Sequence, residues 1–178
     1  MKNQETKVRT SAHENRAILL LGSNSEDASE ALAEATTRLA KRMGLILRGS
    51  IWKTAAWGFE GPDFLNQAIE VSWTAALDEL MDHCLEVEKA MGRLRNPLAE
   101  GYENRRMDVD IILWSGGEYQ SDSVIVPHPR MEARRFVLQP LAEYWGDWKH
   151  PVLNMSVAQL LGSCSDENLI HLHQTIEN

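Results

Sequence analysis

Two stretches of helical period, each enclosed by strand-like runs, constrain this chain more than anything else in it. Arg16 to Leu21 (RAILLL) reads as a short buried strand, with Gly22-Ser23-Asn24 as the turn after it. From Ala28 to Met43 the residues Ala31, Leu32, Ala35, Leu39 and Met43 recur on one helical face, and Gly44 stops the run. Leu45 to Thr54 and Asn66 to Trp73 predict two strands, separated by a loop that holds Gly58, Gly61 and Pro62. Asp78 to Met91 predicts a second helix, its apolar side supplied by Leu77, Leu80, Met81, Cys84, Leu85 and Val87, with Gly92 as its stop. Met107 to Trp114 is the most strand-like piece of all. The order β-α-β-β-α-β is the ferredoxin-like arrangement and places the chain in the α/β (α+β) class. A strand near Ser123 to Val126, a helix from Pro129 to Trp145 and a short helix from Met155 to Leu161 extend it at the C-terminal side. The expected organisation is a disordered N-terminal tail over 1–15, one domain over 16–161 and a C-terminal tail over 162–178.

A chain of 178 residues with 43% hydrophobic residues can bury one full core. No apolar run reaches the roughly 18 residues that span a bilayer. The first fifteen residues are polar and charged, without a signal-peptide core. These features predict a cytoplasmic protein with no membrane partner. Cys84 and Cys164 lie far apart in no metal-binding spacing, so both are expected as free thiols. A net charge of -8 speaks against a nucleic-acid binder. Yet seven of the twelve arginines fall between Arg93 and Arg135, a stretch without lysine. Arginine grips phosphate oxygens bidentately, so this segment is a candidate anion site, with a solvated basic face as the bland reading.

The strongest local signal is RRMDVDIIL, Arg105 to Leu113. In a strand Asp108 and Asp110 share one face, while Met107, Val109, Ile111 and Leu113 point the other way into a core. Adjacent carboxylates repel, and a hard divalent cation such as Mg²⁺ relieves that cost. Two solvated aspartates on an exposed strand face are the alternative. Arg105 beside the pair favours a polyphosphate, since a metal plus arginine is what that charge needs. No GxxxxGK[ST] sequence and no protein-kinase signature is present, so any nucleotide site is of another kind.

The chain resembles the 6-hydroxymethyl-7,8-dihydropterin pyrophosphokinases from about Ala17 to about Trp145. Five ordered motifs carry the resemblance: LGSN at Leu21 to Asn24, WKTAAWG at Trp52 to Gly58, GPDFLNQA at Gly61 to Ala68, EKAMGR at Glu88 to Arg93, and RRMDVDIIL followed by VPHPRMEARRFVLQPL. The resemblance implies transfer of diphosphate from ATP to the pterin hydroxymethyl group, a step of folate biosynthesis that releases AMP. It implies two Mg²⁺ ions held by Asp108 and Asp110, with Arg93, Arg105 and Asp110 at the reacting phosphates. Thr54, Ala55 and Trp57 would offer main-chain contacts to the pterin, Phe64 and Phe136 would sandwich it, and Asn66 would bond its edge. The nucleotide would meet Leu85, Glu88, Arg95, Tyr102, Ile111, Ile125, His128 and Arg134, with Tyr102 where a tryptophan is frequent in the family. ATP and the pterin are the expected partners of a monomer. A phosphotransferase for another hydroxyl compound and a non-catalytic binding module are the rival readings. An RNA-binding sheet lacks its aromatic signature here.

Overall fold

The computed structural model describes residues 15–55, 61–92 and 106–177. RAILLL lies within β1 (Asn15–Ser23), which hydrogen-bonds β3 (Phe64–Trp73) on one side and β4 (Asp108–Trp114) on the other, antiparallel to both. β2 (Gly44–Thr54) pairs with β3 on its far side. The four strands stand in the order β4-β1-β3-β2, linked through α1 (Ala28–Leu39) and α2 (Leu77–Ala90), which is the ferredoxin-like core expected from the element order.

Both faces of this sheet are covered, which is why β1 and β3 are buried almost end to end instead of alternating. Leu19, Leu21, Ile69 and Val71 pack against Leu32, Leu39, Leu80 and Cys84 of the two helices. On the opposite face Ile18, Leu20 and Ala68 pack against Val137, Leu138, Leu141 and Trp145 of α3 (Arg135–Trp145) and against Val157 and Leu160 of α4 (Val157–Ser163). A small hairpin, β5 (Tyr119–Gln120) with β6 (Ile125–Val126), follows β4. Asp78 at the start of α2 anchors it, accepting hydrogen bonds from Tyr119, Ser121 and Ser123.

Four details depart from the sequence reading. The first helix ends at Leu39, although Met43 still reaches the core from the turn that follows. The segment from Pro129 opens with a 3₁₀ turn, Met131–Ala133, and becomes α-helical only at Arg135. Leu113 does not share a face with Val109 and Ile111. The β1–β4 register passes from Leu19 opposite Ile111 to Ile18 opposite Leu113, so Ile112 is an extra residue and the side-chain alternation breaks there. Val109 and Ile111 join the helix-side core, whereas Ile112 and Leu113 join the α3 side. Finally, residues 162–178, expected as a tail, contain β7 (Ile170–Gln174), which pairs antiparallel with β2 and makes the sheet five-stranded.

Candidate active site

The bulge leaves the two aspartates as the strand period places them. Asp108 and Asp110 are half-buried and face the α3 side, while Val109 (2% exposed) and Ile111 (1%) fill the helix-side core between and after them. Cross-strand partners share a face, so the register reads out their neighbours. Asp110 lies opposite Leu20, which lies opposite Ala68. Asp108 lies opposite Gly22, which lies opposite Asn66, which lies opposite Trp52. Asp108 and Asn66 therefore flank a glycine that offers no side chain. At about 4.8 Å per strand spacing, the Asp108 and Asn66 Cα atoms stand roughly 10 Å apart, with the glycine as the floor between them.

That floor is tightly specified on its amide side. A Cβ on Gly22 would come to 3.2 Å from Asn66 Oδ1. Asn66 Nδ2 donates to Thr54 Oγ1 at 2.9 Å, and both residues are buried. Phe64, two residues before Asn66 and on its face, is half-buried opposite Thr54. Ala55 follows as an exposed residue at the end of β2.

The outer edge of β4 is held at two points. Glu88 of α2, 2% exposed, accepts a hydrogen bond from the Val109 main-chain N–H at 2.8 Å, between the two aspartates. Further along, the His128 N–H donates to the Ile112 carbonyl at 3.0 Å. His128 Nδ1 is buried without a hydrogen-bond partner among the described residues. Burial, reinforced by the Arg134 guanidinium, pulls the imidazole below its ordinary pKa, so the ring is neutral at pH 7. Arg134 lies 5.9 Å from the centroid of the Phe136 ring, at the start of α3. Ile125 is exposed and Leu85 half-buried, whereas Ile111 can offer a ligand only its main chain. Arg106 is engaged elsewhere, its guanidinium bonding Asp27 at 2.9 Å and so tying the start of β4 to the start of α1.

The register thus brings Asp108, Asp110, Asn66, Thr54 and Phe64 onto one face. His128, Arg134 and Phe136 enter from the segment that packs over it. Glu88 reaches β4 from the other layer. Trp57, Arg93, Arg95, Tyr102 and Arg105 lie outside the described residues. Among the described residues no group of three or more His, Cys, Asp or Glu could hold a metal ion by itself. A carboxylate pair with hard oxygen donors still suits a cation whose remaining positions go to phosphate and water. Gly22 is the position the sequence left weakest, since LGSN is an ordinary turn composition until the register sets it between Asp108 and Asn66. No helix among the described residues is long and apolar enough to cross a membrane.

Comparison with known proteins places the chain in a family. The model of the 7,8-dihydro-6-hydroxymethylpterin-pyrophosphokinase family matches residues 18–145. A 2-amino-4-hydroxy-6-hydroxymethyldihydropteridine pyrophosphokinase of Methylorubrum extorquens is 34% identical over 131 residues, covering 72% of this chain and 81% of that protein. The Bacillus subtilis protein of the same name is 35% identical over 132 residues, covering 72% and 77%. Among solved structures, the wild-type Plasmodium falciparum HPPK-DHPS with SDX-DHP superposes with a TM-score of 0.66 at 13% identity. It shares the fold over 84% of this chain, which spans 44% of that longer one. The chain belongs to the 7,8-dihydro-6-hydroxymethylpterin pyrophosphokinase family and is a diphosphotransferase of folate biosynthesis that acts on the hydroxymethyldihydropterin.

Proposed function

We propose that the face carrying Asp108, Gly22 and Asn66 is where the diphosphate crosses from nucleotide to pterin. The observation that carries this reading is the register that puts a carboxylate, a glycine and an amide in one row across three strands. Asn66 reads the pterin edge, since an amide offers the donor and the acceptor that a pyrimidinone needs. Phe64 and Phe136 stack on its faces, and the main chain of Thr54, Ala55 and Trp57 completes the contacts. The nucleotide enters over the outer edge of β4, its adenine against Leu85 and the main chain near Ile111 and Ile125. Glu88, Arg95, Tyr102, His128 and Arg134 line that side, with Glu88 acting through Val109.

Asp108 and Asp110 would hold two Mg²⁺ ions, which when bound would supply positive charge to offset that of the phosphates. The hydroxymethyl oxygen attacks the β-phosphorus in line. An O–P bond forms to the pterin, the bond from that phosphorus to the α-phosphate oxygen breaks, AMP leaves with that oxygen, and the hydroxyl proton passes to solvent. Arg93 and Arg105 stabilise the charge that builds on the transferring oxygens. Positioning does most of what remains, because phosphoryl transfer asks little covalent chemistry of the protein. The neutral His128 supports this arrangement as a hydrogen-bonding group that adds no charge beside Arg134.

The chain works as a monomer in the cytoplasm, a compartment whose reducing poise fits Cys84, buried, and Cys164, half-buried, as free thiols. The deciding experiment follows AMP release from ATP with 6-hydroxymethyl-7,8-dihydropterin, with and without Mg²⁺. Release that needs both substrates and the metal is expected. AMP formation indifferent to the pterin would refute the reading.

A further inference from the structure

The C-terminal segment after α4 runs round the β2 edge of the sheet and touches both walls of the pterin slot. Asp166 Oδ2 accepts the main-chain N–H of Arg135 at 3.0 Å, in the first turn of α3. The residue at the N-cap position, Arg134, makes no side-chain cap of its own. A helix start leaves main-chain N–H groups without intrahelical partners, and this one is met from a residue 31 positions away. Asp166 is itself held in a local turn, its Oδ1 accepting from the Asn168 N–H at 3.1 Å and from Asn168 Nδ2 at 2.5 Å. Four residues on, β7 begins, with Ile170 opposite Thr54 and Leu172 opposite Trp52. Beyond β7, Ile176 packs against the helix-side core.

The two ties meet at one place. Glu143 of α3 accepts from the Ser50 N–H at 2.9 Å and from Ser50 Oγ at 2.6 Å, which fixes the far half of the helix over mid-β2. From Glu143 back to Phe136 the helix rises about 10 Å. From Ser50 on to Thr54 the strand advances about 13 Å. Trp145 at the end of α3 donates to Glu70 at 2.8 Å, and Glu70 lies opposite Leu47, so the helix runs towards the start of β2 and its own start lies at the Thr54 end of the sheet, where Asn66 and Phe64 stand.

We propose that Asp166 is a positioning residue for the pterin. By capping α3 from a strap whose next residues are paired to β2, it holds Phe136 at a set distance from the wall formed by Thr54, Asn66 and Phe64. This rests on the assignment of Phe64, Asn66 and Phe136 to the pterin. With the cap gone, the first turn of α3 frays and pterin binding must re-order it. The nucleotide side is held separately, by the His128 bond to β4 and the 3₁₀ turn that precedes Arg134.

The test is steady-state kinetics of Asp166→Ala, Asp166→Asn and Phe136→Ala, and of the double variant Asp166→Ala/Phe136→Ala. Asp166→Ala should raise the pterin KM about fivefold, the factor to which a lost cap of about 1 kcal/mol converts. The ATP KM should stay within about twofold of wild type on the same reasoning. Asp166→Asn, whose single amide oxygen can still accept the Arg135 N–H but gives up the acceptor that faces Asn168, should restore the pterin KM in part. In the Phe136→Ala background, removing Asp166 should cost the pterin nothing more. Equal rises in both KM values, or penalties that simply add in the double variant, would overturn the proposal. Hydrogen exchange of the Arg135 to Leu138 amides supplies a readout independent of turnover, and unchanged exchange in Asp166→Ala would overturn the cap. Phe64→Ala separates the two failures. If it leaves pterin kinetics untouched, the slot is misplaced. If it behaves as a stacking residue while Asp166→Ala is silent, the strap alone is wrong.

Discussion

Gly22→Ala is a one-methyl perturbation aimed at the row between the proposed metal pair and the proposed pterin edge. The added Cβ would sit 3.2 Å from Asn66 Oδ1, several tenths of an ångström inside a comfortable contact. Asn66 is buried and tied to Thr54 at 2.9 Å, so the strain relaxes by turning its amide and lengthening that bond. A lost buried hydrogen bond costs about 1 kcal/mol, and overpacking at least about 1 kcal/mol more. The melting temperature of a domain this size should then fall by about 5 °C. Moving the Asn66 amide by even part of a rotamer misaligns it for a pyrimidinone. A penalty of about 1.4 kcal/mol there is a tenfold rise in the pterin KM. The ATP KM should not move, because the nearest atom to the new methyl belongs to Asn66. Thermal melting and two-substrate kinetics measure both effects. The control is Gly22→Ala combined with Asn66→Ala, where the clash has no partner and the two pterin penalties should fail to add. A pterin KM unchanged by Gly22→Ala, or a matching rise for ATP, would show that this row is not the path between the substrates.

Asp108→Ala and Asp110→Ala should each cut turnover by at least about 100-fold with the fold intact by circular dichroism. Near wild-type rates at ordinary Mg²⁺ would remove the metal assignment. Phe64→Ala should raise the pterin KM about fivefold for a stacking contact of about 1 kcal/mol and leave the ATP KM alone; equal losses would make Phe64 a packing residue. His128 has a folded pKa below its ordinary 6.5, so the unfolded chain binds the proton more readily than the folded one. Stability should therefore be complete above that value and decline as pH falls below it. His150, likewise lowered by burial, adds to the same slope. Denaturant midpoints between pH 7.5 and about 5 should show a shallower decline in His128→Asn; an identical slope in the variant would mean that the imidazole is not held neutral.

What could be read before the structure was whatever is local. The five ordered motifs and the strand period of Asp108-Val109-Asp110 are properties of neighbouring residues, and the structure places both aspartates on one face as that period requires. The period fails two residues later, at Ile112, because a bulge is a mismatch between two strands and β4 alone carries no sign of it. The even burial of β1 and β3 has the same origin, since a strand covered by helices on both faces loses the alternation that marks a one-sided sheet. β7 reads poorly because its side chains are mostly exposed and its stability comes from the main-chain ladder to β2. Gly22 and Asp166 are instructive for the same reason. One is chosen by what stands on the neighbouring strand, the other by a helix start 31 residues earlier, and neither distance is written in local composition. Pterin contacts are therefore expected to be more sensitive to distant, chemically plain residues than phosphate contacts are. The aspartates sit on one strand held at its edge by Glu88 and by the His128 main chain. On the proposed assignment the pterin walls belong to β2, β3 and α3, and the spacing between them would depend on how a glycine, a cap and an edge strand fit together.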